Sequence, residues 1–177
     1  TQYEFNEIFA HESKQMLKEN RISHKTQPLL VNGHQSSGNI FNLKSAFTNE
    51  MEKIIRLEIE KYRTNFKSSM EGFITKWPAD YILSGWLISM KNGGALAPHI
   101  HEEGWISGSV YINVPPKENA MSGNLMVALG EENDAIGARL NVKKMINVIT
   151  GSLVLFPSSL THYTIPFQSE EDRIVLA

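Results

Sequence analysis

The chain has 177 residues at 20.0 kDa, the size of one domain, and its 41% apolar and 20% charged residues suffice to bury a core, which excludes a disordered tail. Lysine plus arginine number 17 against 19 aspartates and glutamates, and the resulting net charge of −2 argues against nucleic-acid or anionic-membrane partners. There is no cysteine, so disulfide scaffolds, thiolate metal sites and thiol nucleophiles are excluded, and any metal must be held by His, Asp or Glu.

The lack of cysteine also fits a cytoplasmic compartment. No stretch approaches the roughly 20 apolar residues of a membrane span. The opening Thr1-Gln-Tyr-Glu-Phe-Asn6 is not a basic-then-apolar signal peptide. The chain begins without Met and stops inside the apolar run Arg173-Ile-Val-Leu-Ala177, which suggests a piece of a longer, multidomain protein.

In chain order, residues 3 to 19 read as a helix, with Phe5, Ile8, Phe9, Met16 and Leu17 apolar among charges. Residues 22 to 43 read as loop and short extended pieces, punctuated by Pro28, Gly33, Gly38 and Asn39. The clearest helix follows. Phe47, Met51, Ile55, Ile59, Tyr62 and Phe66 step by 4, 4, 4, 3 and 4, one face of an α-helix. Ser45 or Thr48 can cap its start, and Gly72 lies beyond its end.

After Pro78 the pattern changes to strands: Tyr81 to Met90, a turn at Asn92-Gly93-Gly94, then Ala97 to Glu103 and Ile106 to Val114. Further strands are expected over Gly123 to Leu129, Asn147 to Thr150, Ser152 to Phe156, His162 to Pro166 and Arg173 to Leu176. A polar loop over Gly130 to Arg139 offers a lid or substrate contact, or is a plain surface loop. About eight short strands at roughly 8–12-residue spacing predict a mainly β fold, a barrel or jelly roll. The N-terminal helices would pack on one face of it. Residues 1–177 would form a single domain, with a helical part over 1–78 and a β core over 79–177.

Three of the six histidines form a pattern. His99 and His101 make a His-x-His pair on an expected strand, where alternation points both the same way. Glu103 continues that alternation. His162 follows 63 residues after His99, at the mouth of a later strand. Neutral imidazoles on adjacent strands can converge on one ion. An isolated His-x-His on a strand is more often solvent-facing or satisfied by hydrogen bonds than metal-bound, and the third histidine adds the weight. On the next strand Ile106, Val110, Ile112 and Val114 share one face, and Ser107, Ser109, Tyr111 and Asn113 the other. That polar face lines a pocket or meets solvent. Arg173 opens the last strand, 11 residues after His162, and offers a two-pronged donor matched to a carboxylate. Its alternative is a surface residue.

The run from Pro98 through His99-Ile-His101 and Ser107-Gly-Ser-Val-Tyr111 to Pro115 resembles the 2-oxoglutarate–Fe(II) oxygenases, as do Gly151 to His162 and Arg173-Ile. The likeness is to the branch with a His-x-His…Ser-Gly-x-x-Tyr signature, sometimes attached to tetratricopeptide repeats. Gly33-His-Gln-Ser-Ser-Gly-Asn-Ile-Phe41 is similar to an upstream element of that branch. The resemblance implies a double-stranded β-helix, the cupin-like jelly roll, holding Fe(II) and 2-oxoglutarate. It implies a dioxygenase that uses O2 to hydroxylate an unidentified protein or small-molecule substrate, with release of succinate and CO2. His99 and His162 would be ligands, Arg173 would grip the far carboxylate of 2-oxoglutarate, and Tyr111 would help. The wider superfamily has an acid where this chain has His101. Either His99, His101 and His162 hold the metal, the favoured set, or His101, Glu103 and His162 do. Two rivals remain: a cupin-type metal protein without 2-oxoglutarate, and a jelly-roll binding module without catalysis. The absence of a Gly-x-Ser-x-Gly elbow weighs against a serine hydrolase.

Overall fold

The computed structural model describes residues 9–18, 23–25, 27–130 and 142–177. The expected helical residues 3 to 8 and most of the polar loop after Gly130 lie outside them. Helix α1 (His11–Lys18) and helix α2 (Ala46–Asn65) are present, with a short α3 (Gly72–Thr75) beyond. Ser45 caps α2 in a reciprocal box. Its Oγ accepts from Thr48 N at 3.1 Å, and Thr48 Oγ1 accepts from Ser45 N at 3.0 Å. The predicted stripe holds through Phe47, Met51, Ile55 and Ile59, all buried. Phe66, its expected last member, is the C-cap and is exposed.

Among the described residues nine strands form one antiparallel sheet: β1 (His24–Lys25), β2 (Leu30–Ser36), β3 (Leu87–His99), β4 (Ile106–Asn113), β5 (Leu125–Ala128), β6 (Lys143–Ile146), β7 (Leu153–Pro157), β8 (Thr161–Thr164) and β9 (Arg173–Leu176). The first two lie in the stretch expected to be loop and short extended pieces, upstream of residue 78. The N-terminal part is therefore not purely helical, since β2 pairs along β3. Periodicity hides β2 because it is polar and irregular: Asn32 has φ 48, and the ladder slips between Val31 and Gly33.

The Asn92-Gly93-Gly94 signal does not make a hairpin. β3 runs through it as one long strand. Gly93 takes φ 72, its N–H donates to Phe167 O at 2.8 Å, and Asn92 Oδ1 accepts from Ser169 N at 3.0 Å. The turn residues are spent on a bulge that changes β3's partner. Before it, Leu87 to Met90 pair with β9; after it, Leu96 and His99 pair with Thr164 and His162 of β8. The order along the sheet is β6-β5-β8-β3-β9-β4-β7. The expected strand over 147–150 is β6, four residues earlier.

The two faces of the sheet have different fates. Leu87, Val110, Ile112, Ile174 and Leu176 face the helices, clustering with Phe41, Phe47, Met51 and Ile55. This is the helix-covered face the sequence predicts. On the opposite face Tyr111, Leu125, Val127, Phe156 and Val175 form a second cluster, drawn from β4, β5, β7 and β9. Strands from both flanks share one cluster because the sheet curls around it, which gives the jelly-roll interior. His162 stands opposite Val127 in the ladder, and Arg173 alternates with Val175, so both point into this interior.

Candidate metal centre

The bulge in β3 and the curl of the sheet bring the histidines together. His99 pairs in register with His162, and their rings are 4.2 Å apart between centroids. His101 lies 5.2 Å from His99 and 5.0 Å from His162. One ligand-capable atom from each falls within 4.8 Å of the others, a group that could hold a metal ion. Glu103 is not in that group. β3 ends at His99, so the alternation that would have carried Glu103 inward stops, and Glu103 is exposed on the following turn. His101 is beyond the strand as well. It arrives through a turn in which Gly104 N donates to His101 O at 3.1 Å and His101 N donates to Ser158 O at 3.1 Å. Trp105 anchors that turn to α3: its indole donates to Phe73 O at 3.2 Å and stacks on the Phe73 ring at 5.8 Å.

Two rings are oriented by carbonyls two residues upstream. His99 Nδ1 donates to Ala97 O at 2.8 Å, and His162 Nδ1 donates to Leu160 O at 3.1 Å. A carbonyl only accepts, so each Nδ1 carries the proton and each Nε2 presents a lone pair. His101 Nδ1 instead meets Ser107 Oγ at 3.2 Å. The polar face of β4 thus turns inward, and the solvent alternative is wrong for Ser107, which is buried.

Burial pushes the His162 imidazole down to about 4, reinforced by the other two histidines and opposed by the bond to Leu160 O. Burial, then His99, lowers His101 as well. Both are neutral at pH 7, the form a metal requires. The sign of the linked stability follows. Between about 4 and the ordinary value of 6.5 the unfolded chain binds a proton at residue 162 that the folded metal-free protein does not. The thermal midpoint of the metal-free protein therefore falls as pH drops from 6.5 to 4, and this contribution levels off below. In His162→Gln the slope across that window flattens. An unchanged slope in the variant contradicts the assignment.

Arg173 is 1% exposed and lies in the same interior. Its Nη1 donates to Gly123 O, its Cζ lies 5.1 Å from the Tyr111 ring centre, and its buried Nε has no hydrogen-bond partner. No acidic side chain forms an ion pair with it among the described residues. Burial lowers its pKa, opposed by Tyr111, while burial raises the Tyr111 phenol, opposed by Arg173 and Ser109. The guanidinium remains charged. A desolvated cation with a free N–H has the chemistry to receive a carboxylate.

The five residues expected from sequence thus share the inner face: three histidines at one place, Arg173 and Tyr111 at another. Phe156 links them, since its ring lies 4.8 Å from His162 and it clusters with Tyr111. The sequence shows Ser107 and Ser158 near histidines along the chain, but it did not signal Phe156 or Gly104 as their neighbours. Ser158 reaches His101 only through the pairing of β4 with β7.

Residues 84–177, more than half the chain, match the family model described as "Putative 2OG-Fe(II) oxygenase". No curated protein matches the chain. Among solved structures it is similar to a prolyl-4-hydroxylase of Pseudomonas putida, at 13% identity and TM-score 0.64, covering 98% of this chain and 83% of that one. It is also similar to a prolyl hydroxylase of Trichoplax adhaerens solved with a hypoxia-inducible-factor peptide, at 12% identity and TM-score 0.66, covering 97% and 76%. HygX of Streptomyces hygroscopicus, solved with nickel, 2-oxoglutarate and hygromycin B, is similar at 12% identity and TM-score 0.58, covering 94% and 76%. At these identities the likeness is one of fold.

Proposed function

Since this chain belongs to the 2-oxoglutarate–Fe(II) oxygenase family, we propose that His99, His101 and His162 hold its Fe(II) and that Arg173, with Tyr111, binds the far carboxylate of 2-oxoglutarate. The observation that carries the assignment is the buried Arg173, a charge with no acid partner among the described residues, in the same interior as three convergent imidazoles. The donor chemistry suits both groups. Three Nε2 lone pairs suit a divalent transition metal, and the guanidinium suits a carboxylate.

Held there, Fe(II) with O2 would couple decarboxylation of 2-oxoglutarate, giving succinate and CO2, to oxidation of a substrate. The protein's share is placement. Ala97 O and Leu160 O hold two imidazoles in the ligating tautomer. Tyr111 and the Gly123 carbonyl fix the guanidinium, so the carboxylate meets a preorganised partner. Phe156, Val127 and Leu125 keep the interior apolar and exclude water. No carboxylate ligand offsets the metal's charge. With three histidines as its ligands, a dipositive ion would keep its full charge toward a dianionic cosubstrate, which would strengthen their attraction.

The reaction class is hydroxylation of a C–H bond on a peptide side chain or a small molecule. The peptide bound to the Trichoplax adhaerens relative and the hygromycin B bound to HygX lend support to each. A cytoplasmic location and attachment to further domains belong to the same reading. The cysteine-free composition supports the former. No helix among the described residues is long and apolar enough to cross a membrane.

Anaerobic addition of Fe(II) and then 2-oxoglutarate to the metal-free protein is expected to produce the visible charge-transfer band of the chelate. Iron uptake without the band would turn the reading to a cupin-type metal protein. No uptake would leave a jelly-roll binding module.

A further inference from the structure

The three histidines are not held alike. His99 and His162 each lean on a carbonyl of their own strand. His101, past the end of β3, has no such carbonyl, and its ring is oriented from elsewhere. Ser107 Oγ, on β4, lies 3.2 Å from His101 Nδ1 and 2.7 Å from Ser158 Oγ, just beyond β7. Both serines are buried, at 7% and 1% exposed. A hydroxyl pair in such a place is costly unless it serves one geometry.

Gly104 is part of the same arrangement. A Cβ there would lie 2.6 Å from Ser158 Oγ, 3.1 Å from Ser158 Cβ and 3.5 Å from His101 Cβ. Its φ is not positive, so alanine is allowed by the backbone and excluded only by Ser158.

We propose that Ser107 and Ser158 form a hydroxyl relay that positions His101 as the third metal ligand, and that residue 104 is glycine to leave room for it. The inference rests on the ligand set given above. When His101 Nε2 faces a metal, its Nδ1 carries the proton and donates to Ser107 Oγ, and Ser107 donates its own proton to Ser158 Oγ. A carbonyl partner permits only one ring tautomer. A hydroxyl permits both, so the bound metal itself sets the direction of the relay. Ser107 and Ser158 are positioning residues: they touch neither metal nor cosubstrate.

The test is anaerobic titration of the metal-free protein with Co(II) alone, reading affinity and the ligand-field bands, beside the thermal midpoint of each metal-free variant. Ser107→Ala is expected to weaken Co(II) binding about 10- to 100-fold and to shift the bands, and Ser107→Thr to restore both. Gly104→Ala, which removes no hydrogen-bonding group, is expected to shift the bands in the same sense. It decides the matter if Ser107→Ala does not fold. Wild-type affinity and bands in the folded Ser107→Ala and Gly104→Ala proteins, with binding weakened in His101→Ala, would overturn the relay alone. Unchanged binding in His101→Ala would overturn the relay together with the ligand assignment beneath it.

Discussion

Arg173→Met is expected to abolish 2-oxoglutarate binding while leaving the metal-free protein at least as stable as the wild type. The two halves of this result come from one cause. Arg173 is desolvated, its Nε is unpartnered, and no acid among the described residues offsets its charge. Replacing a desolvated, unpaired charge by an apolar side chain of similar length removes its desolvation cost. Loss of the Tyr111 ring contact and of the bond to Gly123 O takes back part of that gain. With cosubstrate present the balance reverses. Removing one partner of a buried, hydrogen-bonded charge pair costs about 2–5 kcal/mol, roughly 30- to several-thousand-fold in affinity. The thermal midpoint of the metal-loaded protein should therefore rise with 2-oxoglutarate in the wild type and stay flat in the variant. A variant that is strongly destabilised yet still shifted by 2-oxoglutarate would make Arg173 a structural residue and move the carboxylate site elsewhere.

His162→Ala should reduce 2-oxoglutarate decarboxylation to the level of free Fe(II). His162 is central to the cluster, 4.2 Å from the His99 ring and 5.0 Å from that of His101. Loss of an outer partner of a metal ligand costs about 10- to 100-fold in affinity, and loss of the ligand itself costs more. Folding should survive, because the wild-type imidazole is held neutral against its preference for water. Metal titration and CO2 release together separate the cases. A folded variant that binds no metal and releases no CO2 fits the assignment. One that decarboxylates at the wild-type rate removes His162 from the site.

Much of this was readable from local pattern. The stripe from Phe47 to Ile59 sets α2 and its buried face, because helical spacing needs only neighbours three and four residues apart. The order His99, His101, His162, Arg173 and the polar composition of one β4 face are equally local, whereas the inward direction of that face is not. Where local pattern misled, a long-range contact had overruled it. Asn92-Gly93-Gly94 has the composition of a hairpin, but the partners waiting at Phe167 and Ser169 make it a bulge within one strand.

By itself the sequence determined which side chains are available and which strand faces they occupy, since alternation and periodicity are properties of the chain taken a few residues at a time. The tertiary structure alone decided which of them meet. It ended β3 at His99 and turned His101 inward while leaving Glu103 in solvent. It buried Arg173 against Tyr111, and it set Ser158 beside Ser107 across 51 residues of chain. The physical reason is that convergence depends on the register of non-adjacent strands and the curl of the sheet, and these follow from burying two apolar faces at once rather than from any single segment.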